Sequence, residues 1–369
     1  MDADHEFSQS AADEAPPGTD AVPSTKVGTA GELIAALPAM LGFVPARSVV
    51  VALLHTIDGN AGRREIRAVV RFDLDAVTEP DSAHQVLSML DSMCLREGAI
   101  AAMAVIVDDR PEADATADRA VEYLRGLAVG LTHAWLVPAI AAGAQYRGLL
   151  RAGGAGTAED PCASPLAFAQ VLNGVQIRGS RDELVDLLTS DPVLVAEVEP
   201  HVGPAIARFR DGLAAAVTDE RGDTYRRTAA KSVLALIAAF GETDCAPEDL
   251  ATVMAALRDR TIRDIMFGLV GTELGPAAQM LWHQMARAGT GPDRAEAAVL
   301  CGYDAYYRGD GAYAGICIKA ALQAEPSNPM AVLLDAALSE GLRPGRISRI
   351  AETARLVAAD HGVDLPPAS

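Results

Sequence analysis

Three small groups of residues stand where a ligand could be held. Arg71 and Asp73, in "AVVRFDLD", lie two apart in a run of alternating polarity, so both fall on one face of a strand. Opposite charges placed that way could grip a ligand or partner, and they equally make a plain arginine–carboxylate pair on a half-exposed sheet. Asp108 and Asp109 follow the apolar run "AIAAMAVIV" and so mark its carboxyl end, where open α/β sheets place their ligands. Two carboxylates before "RPEAD" also suit an ordinary turn into a helix. Arg178, Ser180 and Arg181, in "RGSRDEL", set two cations beside a helix-capping serine, which could receive an anion or simply cap the helix.

Stronger signatures are missing. The sequence contains no G-x-x-x-x-G-K-[ST], G-x-G-x-x-G, H-E-x-x-H, C-x-x-C or G-x-S-x-G. "GGAG", Gly153 to Gly156, does not stand between a strand and a helix and reads as a loop. His55 and His133 lie in separate strand-like runs and could approach in space, but no third ligand has metal-binding spacing, so no metal site is expected. Trp135 and Trp282 sit in apolar strings and read as core anchors. Nothing points to a cofactor.

Charge narrows the partners. Among 369 residues, 50 are acidic and 31 basic, a net charge of −19. Such a surface repels phosphate backbones and anionic lipid, and the arginine clusters at 63–67 and 221–227 are too short to reverse it, so neither nucleic acid nor membrane is expected as a partner. The five cysteines are scattered, the N-terminus has no leader pattern, and no apolar run approaches the roughly 18 residues of a membrane span. A soluble protein of the cytoplasm, with reduced thiols, is the expectation. Abundant alanine, and arginine in place of lysine, read as a coding bias.

These residues need elements to position them. Residues 1–28 form an acidic tail with little to bury. "TAGELIAALPAMLGF" has Thr29 as N-cap, Glu32 at capping-box spacing and a Gly42 stop before Pro45, which predicts a helix. "SVVVALLHTI" and "REIRAVVRFDLD" predict an antiparallel hairpin, with Ile66, Ala68, Val70, Phe72 and Leu74 on one face and Arg67, Val69, Arg71 and Asp73 on the other. Helices near 81–96 and 113–127 alternate with strands at "AIAAMAVIVDD" and "THAWLVPAI", two successive β-helix-β units that predict parallel pairing. Residues 141–162 read as a Gly-rich connection, and Ser164 and Ser180 open two further helices. The expected fold is an α/β domain over 29–190, a mixed sheet with flanking helices, followed by an all-α region over 191–369. Within that region, residues 292–340 are similar to a tetratricopeptide hairpin, with Gly302, Ala314 and Ala321 at its small-residue positions; the aromatic slot falls on Ala305, between Tyr303 and Tyr306.

"ELIAALPAMLGFVPARSVVVALL", "VVRFDL", "SPLAFAQVLNGVQIRGSRDELVDLL" and "RGDGAYAGICIKAALQAEPSNPMAVLL" together resemble the actinobacterial family DUF4192, a domain of unknown function. The likeness runs from about Thr29 to Gly345. Its most specific parts are the leucine-glycine-phenylalanine-x-proline turn with Ser48 and the Arg71-x-Asp73 strand. Members often carry a tryptophan- and cysteine-containing segment before the "SP" helix; here that region keeps Cys162 alone. The resemblance implies kinship and a bacterial origin, and brings no activity with it.

Two functions remain open. One is a non-enzymatic binding or scaffold protein whose helical region meets a protein partner. The other is a small-molecule enzyme, a hydrolase or transferase, working at the carboxyl edge of the sheet with Asp108, Asp109, Arg71 and Asp73.

Overall fold

A hydroxyl starts the first helix. Thr29 Oγ1 accepts the amide of Glu32 at 3.1 Å, the Glu32 carboxylate accepts the amide of Gly28 at 2.6 Å, and α1 (Ala30–Leu41) ends at Gly42, whose φ is 77°. The computed structural model describes residues 28–57, 60–151, 153–172, 176–240 and 245–368. The acidic tail expected over 1–28 therefore lies, except for Gly28, outside the described residues.

Six strands follow in one sheet: β1 (Ser48–Ile57), β2 (Asn60–Asp73), β3 (Ala101–Val107), β4 (Leu131–Val137), β5 (Gln145–Gly148) and β6 (Ala155–Thr157), in the spatial order β2-β1-β3-β4-β5-β6. Helices α2 (Leu74–Thr78) and α3 (Pro80–Glu97) join β2 to β3, and α4 (Ala113–Leu124) joins β3 to β4. The hairpin and mixed sheet are as expected, but successive parallel pairing is not. The first crossover passes over β1, which pairs antiparallel with both β2 and β3; β3 and β4 form the one parallel pair in the sheet.

The Gly-rich connection also needs correcting, because it supplies β5 and β6. Trp135 Nε1 donates to the carbonyl of Gly153 at 2.7 Å, and a Cβ on Gly148 would lie 2.7 Å from the Gly153 backbone. Gly148→Ala is thus expected to destabilise the fold by about 1–3 kcal/mol through overpacking. A thermal midpoint equal to wild type would contradict this account of the turn.

Strand β2 departs from simple alternation. Leu53 faces Ala68 while its neighbour Leu54 faces Ile66, so Arg67 is an extra residue that flips the pattern. Ala68, Val70 and Phe72 pack against α3 and α4; Ile66 joins Val69 on the opposite face instead of sharing theirs. Leu74 leaves the strand and begins α2.

The rest is helical: α5 (Pro165–Leu172), α6 (Arg181–Asp186), α7 (Pro192–Thr218), α8 (Gly222–Ala239), α9 (Pro247–Leu257), α10 (Arg260–Met266), α11 (Gly275–Ala288), α12 (Gly291–Tyr307), α13 (Gly311–Ala324), α14 (Pro329–Ser339) and α15 (Pro344–Asp360). Gly302 admits α13 closely, since a Cβ there would meet the Cys317 side chain at 3.1 Å, and Ala314 and Ala321 are fully buried. That close crossing is compatible with the tetratricopeptide pattern.

Two apolar clusters sandwich the sheet. Val49, Val51, Leu53, Phe72 and Ile106 meet Leu90, Val121 and Leu124 on one face. On the other, Val50, Val105, Val107 and Trp135 meet Leu33, Ile34 and Leu37 of α1, and the same cluster continues through Leu188 and Val198 to Leu281 and Tyr303. Helix α1 is buried along nearly its whole length. It forms a wedge between the sheet and the helices behind it.

Candidate functional site at the carboxyl edge of the sheet

Strand register brings the first pair of candidates beside Ser48. Arg71 pairs with Val50 and Asp73 with Ser48, whose other neighbour is Val107. The Ser48 hydroxyl, fully buried, donates to the carbonyl of Ala46 at 2.7 Å and accepts Arg71 Nε at 2.8 Å. A second Arg71 nitrogen lies 2.7 Å from Asp73. Ser48 and Arg71 are thus engaged within the protein, while the Asp73 carboxylate stays largely exposed.

Asp108 ends β3, its amide donating to the carbonyl of Val137 at 3.1 Å. Its side chain is fully buried and takes two parallel bonds from Arg110, at 2.8 and 3.0 Å, plus the Arg110 amide at 3.3 Å. Burial alone would raise the carboxyl's pKa; the Arg110 bonds outweigh it and hold Asp108 below the ordinary value of 3.8. Arg110 also lies 3.7 Å from Asp75, which receives Arg47 at 3.3 Å. Arg47 has a φ of 47°, and its carbonyl accepts the amide of Leu74. Asp109, next along, is exposed.

The third group does not converge. Arg178 is stitched by its backbone to Gly42 and Val44, at 2.9 and 3.0 Å. Ser180 accepts the amide of Glu183 at 3.2 Å while the Glu183 carboxylate accepts the amide of Gly179, one residue before the cap, at 3.1 Å. Arg181 begins α6, whose six residues make under two turns. Nor do the two histidines meet: His55 pairs with Glu65 on β2, whereas His133 faces Met103 on β3 and stacks on Trp135. Among the described residues, no group of three or more His, Cys, Asp or Glu could hold a metal ion.

Sequence spacing missed a further polar group, which tertiary packing alone assembles where α1 meets the helices. Tyr313 and His283 Nε2 share a hydrogen bond of 2.6 Å. Burial, then the fields of Arg308 and Arg178, push His283 down to about 4, so it is neutral at physiological pH. Burial lifts Asp304 to about 6 against Arg308, whose nitrogen lies 2.5 Å away, and also raises Asp310, which caps α13. The cavity that Asp304 lines with Gln279 and Trp282 measures about 10 Å³, room for one water rather than a substrate.

The backbone of Arg178 thus ties down Gly42 and Val44, and the Arg71 guanidinium ties down Ser48. A family model described as a domain of unknown function, DUF4192, matches residues 31–345. The chain belongs to the DUF4192 family. No curated protein and no solved structure matches it. In this DUF4192 member the segment before α5 forms β5, β6 and a short turn over Pro161–Ala163, with Cys162 exposed. Among the described residues no helix is long and apolar enough to cross a membrane.

Proposed function

We propose that this DUF4192 protein is a non-catalytic binding protein of the cytoplasm that engages a protein partner through its helical region, with the tetratricopeptide-like hairpin over 292–340 as the docking element. The observation that carries this is on α14. There Val332 and Leu333 expose half or more of their surface, while Ala331, Leu334 and Ala337 of the same helix are buried against α12 and α13. An apolar outer face on a helix whose inner face is already satisfied is what a partner surface offers. The net charge of −19 argues against nucleic acid as that partner.

The alternative, an enzyme at the sheet edge, has less in its favour. Asp108 is fully buried and held by Arg110, Asp73 leans on Arg71 with its side chain largely in solvent, and Asp109 is exposed, so none of the three is both sheltered from water and free of an arginine. The test is a pull-down from native lysate with the full chain and with Val332→Asp/Leu333→Asp. A partner should be recovered by wild type and fall by about tenfold or more with the variant, whose circular dichroism stays unchanged. Identical protein profiles for the two would sink the proposal.

A further inference from the structure

A larger cavity lies in neither place. About 290 Å³ opens between α7, α8 and α9, the scale of a small-ligand site. Phe209, Val233, Leu236, Ala255 and Ala256 give it an apolar wall. The hydroxyls in that wall are already spent: Thr228, Ser232 and Thr252 each donate to the carbonyl one turn back, at 2.8–3.0 Å. Two polar groups remain, Arg208 and Tyr225.

Arg208 stands apart from the arginines around it. Arg210 pairs with Asp211, Arg221 with Asp219, and Arg226 with both Asp223 and Asp259. Arg208 has no ion pair or hydrogen-bond partner among the described residues. Arg208 is itself exposed, so its guanidinium stands at the open mouth of the cavity, where it can receive an anion. Tyr225 points toward the same end. A Cβ on Gly212 would come within 2.5 Å of its hydroxyl, and Gly212 lies one turn beyond Arg208 on the same face of α7. The absence of a side chain at 212 is what lets the hydroxyl sit there.

We propose that this cavity binds an amphiphilic monocarboxylate, its apolar body between α7, α8 and α9 and its carboxylate on Arg208 and Tyr225. A single negative charge matches one guanidinium, whereas a polyanion would be repelled by the surrounding charge. The inference stands apart from the partner surface on α14, and either can fail alone.

The test is calorimetric titration of the full chain at neutral pH with decanoate, and with decan-1-ol as its uncharged counterpart. Decanoate should bind saturably and more tightly than the alcohol. Arg208→Gln should weaken decanoate by about tenfold or more and leave decan-1-ol unchanged. Ser232→Phe, at an exposed position of the wall, should abolish both without altering the far-ultraviolet circular dichroism. No saturable heat with decanoate, equal affinity for the alcohol, or undiminished decanoate binding by Arg208→Gln would each overturn the proposal.

Discussion

Tyr303→Ala is expected to destabilise the protein by about 4 kcal/mol, seen as a lower denaturation midpoint with the same transition slope. Tyr303 is fully buried and among the largest side chains of the core. Its ring meets Phe267 edge-on, centroids 5.2 Å apart, so removing it leaves a cavity walled by groups that cannot collapse into it. Its hydroxyl donates to the carbonyl of Ile347 at 3.2 Å and accepts the amide of Ala351 at 2.8 Å, which ties α12 to α15. Tyr303→Phe keeps the packing and loses only those bonds, so about 1–2 kcal/mol is expected from it. Equal losses in the two variants would show that the hydroxyl, rather than the ring, holds α15.

Arg110→Met should cost about 3 kcal/mol at neutral pH, because it strands a buried carboxylate without its partner. The pH dependence distinguishes this from lost packing. In the wild type, the folded pKa of Asp108 lies below 3.8, so its contribution is present above that value and is lost as pH falls through the folded pKa. In the variant, only the amide of residue 110 and the field of Arg47 still oppose burial, so the pKa rises. Deprotonation then favours the unfolded chain, so the variant loses stability as pH rises through the acidic range. The gap between the two proteins should be small in acid and full at neutrality. Asp108→Asn combined with Arg110→Met should recover part of the loss, since no charge is then buried. A gap independent of pH, measured by urea denaturation across that range, would rule the ion pair out as its origin.

What the sequence made legible was local. The cap at Thr29, the stop at Gly42, the serine cap at Ser180 and the burial of Trp135 and Trp282 each follow from a few neighbouring residues, and each is present. What it hid was set by distant partners. Strands β5 and β6 span four and three residues, too short for a period to register, and exist because β4 offers an edge. The bulge at Arg67 breaks an alternation that looked regular. At the sheet edge each candidate was visible alone, but Arg110 and Asp75, which complete the network, carry no motif. The cavity between α7 and α9 was least visible of all, since alanines such as Ala255 and Ala256 read as compositional bias until the wall they line is seen.

The buried α1 wedge carries a cost during synthesis. Leu33, Ile34 and Leu37 leave the ribosome early, yet some of the surface that covers their cluster, α11 and α12, is encoded more than two hundred residues later. At translation rates of about 5–20 residues per second, that interval is on the order of tens of seconds. Throughout it the nascent sheet presents an apolar flank that its later helices have yet to cover.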